Sequence, residues 1–261
     1  MNASFYRAFA VQRRIVGALL LREVITRYGR KNIGVLWLIG EPMLFTLGVA
    51  ALWIGARMHT ISAIPIIAFA ITGYSSVLVW RNAAGRCSKA IEPNLSLMYH
   101  RNVKVIDIFL SRIILEIIGG TASLVVLTLF FTFIGAMQWP RDPLLAAGGW
   151  LLLCWFGAAL GLIVGALSEN SEAFGRIWQV ATYLLFPLSG AMFMVHWLPK
   201  AAQETLLWLP MVHTVEMVRH GYFGQVVPTY ENPAYVIVAN MALTLIGLAL
   251  VRESSRKVQP E

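Results

Sequence analysis

Charge is scarce in this sequence, and several long stretches carry none. Asp, Glu, Lys and Arg make up 13% of the 261 residues, roughly half the usual share in soluble domains. There are only two cysteines, Cys87 in a connecting loop and Cys154 within an apolar run, which excludes a disulfide framework. No GxxxxGK[ST] loop is present, so the chain cannot hydrolyse ATP through such a loop. HExxH, GxSxG, CxxC and paired-aspartate metal motifs are also missing, which argues against an enzyme. No secretory signal is expected, because the short apolar run Ile15–Leu21 meets Arg22 rather than a cleavage site of small residues. There is no internal repeat.

What fills the sequence is hydrophobic. Uncharged runs cover Met58–Trp80, Ile117–Pro140, Pro143–Ser168, Ile177–Pro199 and Asn232–Val251, and Asn32–Ala56 is broken only by Glu41. About 20 mostly apolar residues cross the hydrocarbon core as a helix. Lipid cannot satisfy a bare backbone, and these runs lack the alternation of a β-barrel. The expected fold is all-α: a polytopic membrane protein with six transmembrane helices near 32–56, 58–80, 106–137, 143–168, 177–199 and 232–251, preceded by an N-terminal element over 1–31.

With both termini on one side, only Arg57, Arg141, Lys200 and Arg219 of the 21 Lys and Arg lie opposite. The positive-inside rule then places both termini in the cytoplasm. The net charge of +8 suits loops that hold an anionic leaflet rather than nucleic acid.

The segments between spans carry the functional signals. Ser4–Tyr28 places Phe5, Phe9, Val16, Leu19 and Leu20 at helical spacing and is too charged to span, so an amphipathic helix along the cytoplasmic interface is expected. Arg27, Arg30 and Lys31 at its end could meet an anionic amphiphile, or the helix could simply rest on lipid. Glu41-Pro42 predicts a kink in the first span and an acid that is paired or lines a pore. In the loop 81–107, Glu92-Pro-Asn-Leu-Ser-Leu-Met-Tyr-His-Arg101 reads as a short helix capped by Asn94 or Ser96. Its apolar side chains either pack back or enter a partner.

Arg112 and Glu116 are spaced to pair on one face. Gly157, Gly161 and Gly165 form a smooth face for helix packing. The segment 200–231 reads as a re-entrant hairpin, Ala201–Leu209 and Met211–Phe223, ended by Gly221 and Gly224. It carries His213, Glu216 and His220 on one face, and a gate is preferred there over a zinc site because Arg219 can pair with Glu216.

The run Arg22-Glu-Val-Ile-Thr-Arg-Tyr-Gly-Arg30, followed by Gly34-Val-Leu-Trp-Leu-Ile-Gly-Glu-Pro42, resembles the start of ABC-2 type permeases, the membrane subunits of type V ABC exporters. Glu41-Pro42, Tyr99-His-Arg-Asn-Val-Lys-Val-Ile-Asp107, Arg112 and Leu115-Glu116 are similar to capsular polysaccharide export permeases of the bacterial inner membrane. The resemblance implies a homodimer with two separate ATPase subunits, which bind ATP and Mg; no cofactor is implied for this chain. It further implies periplasmic and outer-membrane export components, and a lipid-linked, acidic polysaccharide as substrate.

Residue by residue, Glu92, Pro93, Leu95, Leu97, Met98, Tyr99, His100 and Arg101 would form a coupling helix. His213, Glu216, Arg219 and His220 would lie in gate helices over 200–223. Arg27, Tyr28, Arg30, Lys31, Trp37, Glu41, Tyr74, Trp80, Trp178 and Tyr183 would meet substrate along the first, second and fifth spans. Aromatic rings offer a moving sugar chain stacking surface without tight directional bonds, although each could equally be a membrane-belt residue. Export of lipopolysaccharide O-antigen or teichoic acid is the alternative in the same class. An intramembrane enzyme or an ion-coupled carrier is the alternative from another.

Overall fold

The computed structural model describes residues 2–29, 33–55, 60–61, 64–98 and 103–258. Among them, helix α1 spans Asn2–Tyr28, α2 Ile33–Gly55 and α3 Ile66–Cys87, with a two-residue antiparallel ladder, Thr60–Ile61 on Ile64–Pro65, before α3. A 3-10 turn, Glu92–Asn94, leads into the single turn α4, Leu95–Met98. Then follow α5 (Val105–Phe133), α6 (Pro143–Asn170), α7 (Glu172–Leu188), α8 (Lys200–Leu206), α9 (Pro210–Phe223) and α10 (Pro233–Val258). The chain is an all-α polytopic membrane protein. The stretches 36–55, 105–133, 143–170 and 233–257 are each long and apolar enough to cross a bilayer.

Helix starts follow local chemistry. Asp142 accepts from the Leu145 amide (2.9 Å) with Pro143 in the first turn, and Ser171 accepts from the Phe174 amide. Asn232 accepts from the Tyr235 amide ahead of α10. At α5 the Asp107 carboxylate reaches back to the Lys104 amide.

Two expected spans differ from the charge-free runs. The second is shifted: α3 begins at Ile66, after the Pro65 cap, and runs on past Arg81 and Arg86 to Cys87. The fifth starts earlier, at Glu172, and ends at Leu188 instead of reaching 199. Its 17 residues rise roughly 25 Å, short of a hydrocarbon core of about 30 Å. Pro187 lies in its last turn, and Gly190 takes the left-handed region at φ 84°.

Helix α6 is central, packing against α3, α9 and α10. The glycine face works as its spacing predicts. A Cβ on Gly157 would stand 2.9 Å from Trp80 Cα, one on Gly161 3.2 Å from the Ala83 carbonyl, and one on Gly165 3.1 Å from Cys87 Cβ. Successive turns of α3 therefore lie directly on α6, and the opposite face of α3 is left to line a cavity.

Helix α1 is not arranged with its apolar side in and its charges out. Leu19 is buried and Ile15 packs on the same apolar cluster, but Gln12, Arg22, Glu23 and Arg27 also turn toward protein partners. Phe9, Leu21 and Ile25 are exposed.

Candidate functional site

Polar groups at several points along α1 grip the rest of the molecule. Gln12 donates to Asp107 (3.0 Å), Arg22 to the Asn94 side-chain oxygen, and Arg112 pairs with Glu23 (3.3 Å). Arg27 pairs with Glu116 and with Glu41 (3.2 Å), and Arg86 reaches the same two carboxylates, each at 3.4 Å. Four charges from α1, α2, α3 and α5 thus form one cluster.

Two expectations change here. Arg112 and Glu116 do not pair with each other: Arg112 also donates to the carbonyls of Arg86 (2.7 Å) and Lys89 (2.9 Å), closing the end of α3. Glu41 is paired, as one of its two readings holds. Arg27 holds two carboxylates instead of standing ready for a headgroup. Arg30 and Lys31 lie outside the described residues, as do Tyr99, His100 and Arg101, and of Tyr28 only the backbone is described.

The segment 92–98 divides its side chains. Leu97 and Met98 pack back on the apolar cluster around Ile108 and Phe109. Leu95 is 44% exposed, and Glu92, Pro93 and Ser96 are exposed beside it. Asn94 is buried and does not act as the cap of α4. It donates to the Ala90 carbonyl (2.8 Å) and accepts from Arg22. An exposed tip therefore stands on a base fixed to α1.

Between the free face of α3 and α7 lies a cavity of about 500 Å³. Arg81, Asn82, Gly85 and Arg86 line one wall, and Trp178, Gln179, Thr182 and Tyr183 the other. Of the expected aromatic lining, Trp178 and Tyr183 are there, the latter 69% exposed, and Trp37 is 52% exposed on α2. Trp80 and Tyr74 are not on this surface. Trp80 is buried against Gly157 and Phe156 (ring centroids 6.2 Å), and Tyr74 is buried among Phe45, Trp53 and Phe186. Arg81, Arg86, Gln179 and Thr182 are the residues that a search for aromatic belts passes over. The signal for Arg81 and Arg86 was a pair of basic residues that α3 carries beyond the uncharged run; Gln179 and Thr182 on α7 had none.

The residues expected at a gate hold the hairpin in place. Most of α9 is buried, and Gly221 lies inside it against Ala146, while Gly224, at φ 62°, ends it. Arg219 is fully buried and does not pair with Glu216. It donates to the carbonyls of Gly190 (2.6 Å), Phe193 (2.6 Å) and Ala191 (2.8 Å) and sits 4.0 Å over the Phe69 ring. The non-helical backbone after α7 is satisfied in this way. Glu216 accepts from the amides of Val195 (3.3 Å) and Tyr230 (3.2 Å). His213 Nε2 lies 2.8 Å from the Leu207 carbonyl. His220 pairs with Glu231. Burial opposes ionisation of Glu231, but hydrogen bonds from Thr229 and His220 outweigh it and hold the carboxyl below its ordinary range.

Among known proteins, the model of the ABC-2 type transporter family matches residues 15–223. The chain is 48% identical over 260 residues to the capsule polysaccharide export inner-membrane protein CtrC of Neisseria meningitidis serogroup B, covering 100% of this chain and 98% of the relative. It is 44% identical over the same shares to the capsule polysaccharide export inner-membrane protein BexB of Haemophilus influenzae. To the polysialic acid transport protein KpsM of Escherichia coli it is 31% identical, over 94% of this chain and 95% of that one. With a family match over most of its length and relatives aligned nearly end to end, this chain belongs to the ABC-2 type transporter family.

Proposed function

We propose that this chain is the permease subunit of an ATP-driven exporter that moves a capsular polysaccharide, acidic and lipid-linked, across the bacterial inner membrane. The likeness to CtrC and BexB along the full chain carries the proposal. The kinship with a polysialic acid transport protein favours an acidic polymer. In this reading two copies assemble with two ATPase subunits, which bind ATP and Mg, both termini face the cytoplasm, and periplasmic and outer-membrane components continue the path.

The geometry supports a route for force. Leu95 and its exposed neighbours offer a docking tip to the ATPase, while Leu97, Met98 and Asn94 fix the segment to the bundle. Displacement of the tip is transmitted through Asn94 to Arg22, and along α1 to the cluster that holds α2, α3 and α5. A push at one end then alters how the spans pack. No bond of the substrate is made or broken by this chain.

The test is to delete the gene in its own capsulated host and restore it on a plasmid. The proposal predicts polymer trapped inside the deletion strain and surface polymer regained on complementation. An unaltered capsule in the deletion strain contradicts it.

A further inference from the structure

The cavity between α3 and α7 includes Trp178 and Tyr183, for which the resemblance implies substrate contact, but its basic wall, Arg81 and Arg86, is assigned no role by that resemblance. Both helices present the same pattern to it, residues i, i+1, i+4 and i+5: Arg81, Asn82 and Arg86 from α3, and Gln179, Thr182 and Tyr183 from α7 among them. No carboxylate lines it. Among the described residues Arg81 makes no ion pair; its guanidinium lies 5.1 Å from the centroid of the Tyr183 ring. Arg81 and Arg86 stand on the last two turns of α3, beyond the uncharged run, and face the cavity together. The Trp178 indole N–H, at the cavity wall, is buried without an acceptor among the described residues. Guanidinium groups beside amides, a hydroxyl and an aromatic face match a sugar that carries an oxyanion.

Arg86 belongs to two sites at once. It lines the cavity, and it is the group through which α3 holds Glu41 and Glu116. Both pairs are 3.4 Å long and the side chain is 40% exposed, so they hold it weakly. Glu41 and Glu116 each keep Arg27 when Arg86 leaves.

We propose that this cavity binds an oxyanion-bearing sugar of the transported glycan through Arg81 and Arg86, and that binding transfers Arg86 from Glu41 and Glu116 to the ligand. Occupancy then releases α2 from the end of α3. The site thereby reports its contents to the charge cluster that α1 shares, before any nucleotide is used. The identity of the ligand rests on the transport reading, but the binding itself does not.

The experiment is calorimetric titration of the full-length chain in lipid nanodiscs, without an ATPase. The ligands are a uronic acid oligosaccharide, a phosphorylated sugar without a carboxylate, and a neutral oligosaccharide of equal length. Tighter binding of the first places the oxyanion on the glycan, and tighter binding of the second places it on a phosphate link such as that of a lipid carrier. Either supports the site, and no preference over the neutral sugar overturns it.

Arg81→Gln should weaken the preferred ligand about tenfold or more. Gly85→Leu puts an apolar side chain into the cavity wall between the two arginines and should weaken binding of the preferred ligand; a Cβ at Gly85 meets nothing within 4 Å, so the backbone of α3 accepts a side chain there. Glu41→Gln removes a competitor for Arg86 and should tighten binding about threefold. A purely structural Glu41 would give no gain, and unchanged affinity in Glu41→Gln overturns the transfer. Failure of these binding tests leaves capsule complementation unaffected, so the two readings fall separately.

Discussion

Arg22 of α1 donates to the side-chain oxygen of Asn94, and Asn94 in turn donates to the Ala90 carbonyl, so the N-terminal helix and the base of segment 92–98 move as one unit. Asn94→Ala removes both bonds. A hydrogen bond to a charged group contributes about 1.5–3 kcal/mol, and ATP turnover by the complex with its ATPase should fall roughly tenfold. Asn94→Asp keeps an acceptor for Arg22 and should retain most of the turnover. Equal turnover in the two variants would remove this link from the force path.

Arg219 satisfies three carbonyls in the turn after α7. Arg219→Met leaves them buried without a donor, a loss of about 3 kcal/mol or more. Lysine cannot reproduce the planar fork, so Arg219→Lys should recover only part. Thermal unfolding in detergent should rank wild type above Lys and Lys above Met.

The α3–α6 contact sets the shape of the cavity. Gly161→Leu forces a side chain into Ala83 and Ile113, and overpacking of this kind costs about 1–3 kcal/mol. Gly85→Ala, on the opposite side where nothing lies within 4 Å, should stabilise α3 by about 1 kcal/mol. Melting temperatures should therefore move in opposite directions.

The membrane class, the glycine face and the short segment at 92–98 were legible because each rests on local pattern. The limits of α3 and α7 were not. A charge-free window cannot see that Ala83, Ala84 and Cys87 are buried by α6, which lets the helix continue past two arginines. Nor can it see that Arg219, thirty residues on, satisfies the backbone where α7 stops. Arg112 and Glu116 have the right spacing for each other, yet cross-helix partners took both. The aromatic residues divided by the helix that carries them: Trp178, though buried, and Tyr183 on α7 line the cavity, whereas Tyr74 and Trp80 on α3 pack into the interior.

The Glu231–His220 pair gives a pH signature. The Glu231 carboxyl titrates lower in the folded chain than its ordinary 4.5. Its contribution to stability is therefore present above that value and is lost as the pH falls through the lower, folded one. Wild-type stability should decline in this acid window, and Glu231→Gln should flatten that part of the decline. Identical acid profiles for the two proteins would contradict the assignment.

ATP turnover in lipid nanodiscs by the chain alone, by its complex with the ATPase, and by the complex carrying Leu95→Asp tests most directly that force enters through segment 92–98. The account predicts no turnover by the chain alone, robust turnover by the complex, and its loss in Leu95→Asp. Turnover by the chain alone, or an unimpaired Leu95→Asp complex, would contradict it.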